Sequence, residues 1–70
     1  MDEFEPTHRH YGALLIAVGT VMMRNGVSAV AARAGHYDAD LVRVMVKYGL
    51  PEQEAEHMLQ VDLSMAINMQ

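Results

Sequence analysis

The spacing of apolar residues divides the chain into four helical stretches. Tyr11, Leu14, Leu15, Val18, Val21 and Met22 recur at steps of three and four, which predicts a first helix from about His8 to Asn25. Thr7, behind Pro6, is its N-cap candidate, and Asn25-Gly26 ends it with residues that tolerate the left-handed region. Ile16 and Met23 lie off the stripe, so this helix is apolar over more than one face and calls for cover on both sides. A short second helix is predicted from Ser28 to Ala34, stopped by Gly35. Asp38 as N-cap opens a third, Ala39 to Tyr48, with Leu41, Val44, Met45 and Tyr48 on its inner face. Gly49 closes it. Pro51 suits the first position of a fourth helix, predicted to run to near Met69, and Glu52 and Glu54 fall where the helix dipole favours carboxylates. No segment alternates with period two for long enough to make a strand. The expected fold is all-α: four short helices in one domain over residues 1–70, with 6–49 holding the first three and 51–69 the last.

Composition narrows what such a domain can do. Seventy residues without cysteine exclude disulfides and thiolate zinc sites, and they fit a reducing, cytoplasmic setting. A chain this short buries only about 60% of its unfolded surface, so a second copy is an economical source of further burial. Seven Met against one Phe and no Trp describe an adaptable core or contact surface. The acidic start (Asp2, Glu3, Glu5) is the opposite of a signal peptide's positive region. The uncharged run between Arg9 and Arg24 is shorter than the ~20 residues of a membrane span. The net charge of −4 is unevenly placed. All five Lys and Arg lie within residues 6–49 against only Asp38 and Asp40, a local balance of +3. The middle is basic and both ends are acidic.

The stretch VSAVAARAGHYDADLVRVMV, Val27 to Val46, resembles the helix-turn-helix of bacterial and phage transcription regulators, in the style of the LacI and TetR families. Val30 and Ala31 match the apolar-then-small pair of the first helix, and Ala34 and Gly35 match its end and the turn. Leu41 and Val44 match the buried positions of the second helix. His36 departs from the pattern, which has an apolar residue after the glycine. The resemblance implies that the helix after the turn is the reading helix, and that double-stranded DNA meets Arg33, Tyr37, Val42, Arg43, Val46 and Lys47. On the reading helix itself, Arg43 alone suits a bidentate guanine contact. Val42 and Val46 suit thymine methyls or a protein partner equally.

Two functions therefore stand side by side. One is a small dimeric DNA-binding regulator. The other is a protein-binding module on the same scaffold, acting on a larger regulator or enzyme. For the dimer, Gly12 and Gly19 share one side of the first helix, where each costs about 1 kcal/mol against alanine, so close approach of another helix is expected there. Met58, Leu59, Leu63 and Met65 supply a second candidate interface on the last helix. No catalytic residue, cofactor or metal site is assigned. The His8-x-His10 pair falls on opposite sides of a helix and reads as solvated, as do Glu54, Glu56 and His57.

Overall fold

The computed structural model describes residues 4–61. Their elements are α1 (His8–Asn25), α2 (Ala29–Ala32), α3 (Asp38–Lys47) and α4 (Glu52–Met58), with no strand among the described residues. The fold is all-α, as the apolar spacing predicts.

α1 begins and ends where the sequence places it. Thr7 is the extended N-cap residue, and the His10 ring reaches back to its backbone N–H at 2.9 Å. Gly26 takes the left-handed conformation (φ 63°) and donates to the Met22 carbonyl. The inner face of α1 is Tyr11, Ala13, Leu14, Ala17, Val18 and Val21, all buried, and α3 is its principal neighbour. Leu15, expected on this face, is exposed instead. Ala13 and Ala17 take the inward positions, and their small side chains suit a close crossing by α3. Leu14, Leu41, Met45 and Met58 form the centre of the core with almost no accessible surface.

α2 is a single turn. Ser28 caps it by accepting from the Ala31 N–H at 3.2 Å, and it stops at Arg33 rather than at Ala34. The expected inward pair, Val30 and Ala31, is displaced: Val30 is 83% exposed, Ala31 is half-buried and Ala32 is fully buried. Two residues are about 200° of helix, so the buried face of α2 is nearly opposite to the one the motif implies. In α3 the helix begins at Asp38 with Tyr37 as the cap residue, one position earlier than expected, and Leu41, Val44 and Met45 are buried as predicted. Tyr48 is not. The helix ends at Lys47, Tyr48 turns out to solvent, and Leu50 takes the inward place.

Gly49 bridges α3 and α4 at φ 106°, a backbone conformation that favours glycine. A Cβ there would lie 2.6 Å from Arg9 Nη2, which donates to the Gly49 carbonyl at 3.2 Å. The Arg9 guanidinium ends a flexible, exposed side chain and can withdraw, so the positive φ is what selects glycine here.

α4 was expected to run on toward Met69, but regular helix stops at Met58. Bonds from Leu59, Gln60 and Val61 to carbonyls three residues back tighten the chain into a turn. The Arg33 guanidinium sits at that end, donating to the carbonyls of Met58, Leu59 and Val61 at 3.4, 3.2 and 2.7 Å. A cation at a helix C-terminus satisfies orphan carbonyls and opposes the helix dipole. The remainder of the predicted fourth helix, with Leu63 and Met65, lies outside the described residues.

Candidate interaction surface

Three surfaces hold the residues singled out above. The first is the outward side of α3. Arg43 projects into solvent, 72% exposed at its side chain, and pairs with Asp40 at 2.7 Å one turn earlier. Val46 and Lys47 are exposed beside it, whereas Val42 and Tyr37 are half-buried against the core. Arg33 does not join them. Its guanidinium is turned inward to the end of α4, so its donors serve the fold. Of the three cations expected to face a partner here, one is internal, one is ion-paired, and Lys47 has no acidic side chain in salt-bridge range among the described residues.

The second surface is a groove of about 430 Å³ between α3 and α4, lined by Asp38, Ala39, Val42, Glu56, Leu59 and Gln60. Val42 and Leu59 form an apolar floor, and the two carboxylates stand on its rim. A smaller, polar concavity of about 300 Å³ adjoins it along α4, lined by Gln53, Glu56, His57 and Gln60. No Lys or Arg lines either part. Of these residues the sequence singles out Val42 and Leu59 for contacts, each for a different partner. Asp38, Glu56 and Gln60 gain a role only because α4 folds back on α3, a long-range event with no local signature.

The third surface is the outer side of α1. Gly12, Ile16, Gly19 and Met23 follow one another at steps of four, three and four, with Leu15 alongside. Met23 is 87% exposed, Leu15 and Ile16 are also exposed, and nothing lies within 4 Å of a Cβ built on Gly12 or Gly19. The described chain therefore gives no packing reason for either glycine. Of the expected dimer residues on the last helix, Met58 is fully buried in the chain's own core, because α4 packs inward, and is withdrawn from any interface. Leu59 is half-buried.

A fourth cluster was expected to be merely solvated and is not. His10 is half-buried, and its Nδ1 accepts from the Thr7 N–H, which leaves the ring proton on Nε2. Nε2 donates to Glu54 Oε1 at 2.7 Å across a separation of 44 residues. Phe4 meets His10 edge-on at 5.0 Å and lies tilted over His57 at 5.0 Å. These groups tie the start of α1 to α4. Their hydrogen bonds are directed at each other, so they form a structural joint. Among the described residues no three His, Asp or Glu side chains could together hold a metal ion, and no helix is long and apolar enough to cross a membrane.

No protein-family model matches the chain, and no curated protein or solved structure matches it significantly.

Proposed function

We propose that the chain is a small protein-binding module on a helix-turn-helix-like scaffold, rather than a reader of DNA. The observation that carries this is the fate of the three cations: Arg33 is committed to the carbonyls closing α4, and Arg43 is paired with Asp40. Arg43, its charge offset by Asp40, and Lys47 are together a weak basis for phosphate contact, since affinity for duplex scales with the number of phosphates neutralised. The α3 surface also runs directly into the acid-rimmed groove, whose Asp38 and Glu56 repel a phosphate backbone.

The test is a titration of random-sequence duplex DNA into the protein at low salt, followed by salt. The protein-binding reading expects no saturable binding. Saturable binding that weakens in both Arg43→Ala and Lys47→Ala, with a salt slope reduced by about one in the latter, overturns it and restores the DNA-binding regulator.

The active form proposed is a homodimer through the outer side of α1. Large and small residues alternate there so that the face complements itself. With two copies antiparallel about an axis between Ile16 and Gly19, each Gly12 meets a Met23 and each Ile16 meets a Gly19. Such isologous pairing is the common form of a two-fold interface. Light scattering at tens of micromolar is expected to give twice the chain mass, reverting to a single chain in Ile16→Glu. A single-chain mass for the unmodified protein overturns the pairing.

A further inference from the structure

We infer that the groove between α3 and α4 is the docking site for a basic amphipathic segment of a partner protein, one apolar side chain seated on Val42 and Leu59 with Lys or Arg flanking it. The inference rests on the protein-binding reading and specifies its partner.

Charge and polarity support the assignment together. The floor is apolar and the rim carries Asp38 and Glu56 with no cation among the lining residues. The Arg33 guanidinium donates to the Met58, Leu59 and Val61 carbonyls, Arg43 pairs with Asp40, and neither is part of the lining. Neither rim carboxylate has a salt-bridge partner among the described residues, unlike Asp40 and Glu54 on the same two helices. Of the five carboxylates on α3 and α4, Asp40 and Glu54 are paired within the chain, Asp38 and Glu56 face a shared concavity, and the exposed Glu52 does neither. A cationic ligand supplies what the rim lacks. Its apolar side chain covers Val42 and Leu59, which packing against the core leaves only half-buried. The volume, about 430 Å³, lies in the range of sites that enclose a small ligand, about 300–1,000 Å³, and suits one or two side chains rather than a whole helix face. The adjoining polar concavity, with Gln53 and Gln60, offers amides to the segment's backbone or to a second flanking cation.

The test uses the full chain, isotope-labelled, titrated with three synthetic peptides of equal length at physiological salt. These are an amphipathic Leu/Lys helix former, the same peptide with Glu for Lys, and the same with Ser for Leu. The Leu/Lys peptide is expected to shift the amide resonances of Ala39, Val42, Glu56 and Gln60 first. The Leu/Glu peptide is expected to leave them unmoved, and the Ser/Lys peptide to bind far more weakly. Ala39 and Glu56 are exposed, so Ala39→Phe and Glu56→Lys keep the fold, which circular dichroism checks. Ala39→Phe fills the groove and is expected to abolish binding. Glu56→Lys is expected to weaken the Leu/Lys peptide about fivefold, the scale of one exposed charge pair. Shifts centred on the outer side of α1, equal binding of the Leu/Glu peptide, or indifference to Ala39→Phe overturns the groove assignment. Those outcomes are separate from the duplex titration: a failed peptide with no duplex binding rejects the groove alone, whereas saturable duplex binding rejects the protein-binding reading beneath it.

Discussion

The two sides of α1 are about equally apolar and meet opposite fates. On one side Leu14, Ala17, Val18 and Val21 are sealed in the core, while on the other Leu15, Ile16 and Met23 stand exposed on the side that holds Gly12 and Gly19. Hydrophobicity alone did not choose between them. The inner side places alanines among its larger residues, which lets α3 come close and still leaves side chains to interdigitate. The outer side has glycines where a neighbour would have to fill the space, and nothing in the described chain does so. The difference separates a face completed within one chain from a face that awaits a second surface.

The sharpest way to break that contrast is to damage the completed face. Leu14→Ala removes a fully buried side chain from the centre of the core, and a loss of about 2–5 kcal/mol in urea unfolding is expected. A loss below about 1 kcal/mol would place Leu14 in a face much less complete than its burial implies. Next comes Gly49→Ala, which forces a Cβ into the left-handed region and against Arg9. A cost of about 1–3 kcal/mol is expected from the backbone strain alone, and Arg9→Ala in the same chain should leave that cost in place, because the exposed Arg9 guanidinium can move aside.

The outer face predicts a change of opposite sign. Gly19→Ala meets no atom within the chain, so at high dilution it should stabilise the fold by about 1 kcal/mol through helix propensity. At tens of micromolar the added methyl should obstruct the close approach of a second copy, and the gain should vanish or reverse. A gain independent of concentration removes this face from consideration as an interface. The smallest effect belongs to Arg43→Ala. Its exposed pair with Asp40 should contribute no more than about 0.5 kcal/mol to stability, so any larger change seen in partner binding can be read as recognition rather than unfolding.

What the sequence made legible follows the range of the interactions. Thr7, Ser28, Gly26 and Gly49 act within a turn of their own position, and the boundaries of α1 and the stop of α3 come out within a residue. Val30 shows where local reasoning ends. An apolar residue in a predicted helix reads as core, but α2 is one turn long, and Arg33 is drawn across to α4. Ala32 consequently becomes the inward residue. The His10–Glu54 contact spans 44 residues and the Arg33–Val61 contact 28, so neither has a local pattern to announce it. The groove inherits the same illegibility, since Val42 and Glu56 become neighbours only through the return of α4. Met58 is a gentler case: its stripe read correctly as apolar, and the structure decides that its cover is the chain itself.

The adjacent residues Arg9 and His10 have a kinetic consequence. Arg9 is bonded to Gly49 and His10 to Glu54, so the first turn of the first helix is fastened to the last described helix and to the loop before it. Contacts closing loops of some 40 residues carry a large entropic cost before they contribute anything, whereas helical turns form locally. The pairing of α1 with α3 is therefore expected to dominate the folding transition state, with α4 latching afterwards. Removing the latch by Glu54→Ala, which leaves the His10 cap of α1 in place, should then raise the unfolding rate and leave the refolding rate nearly unchanged in stopped-flow measurements. A slower refolding limb would show that α4 is part of the nucleus. Late latching also gives α4 the lowest barrier to local opening, so the α4 side of the groove would exchange its amide hydrogens sooner than the α1–α3 core.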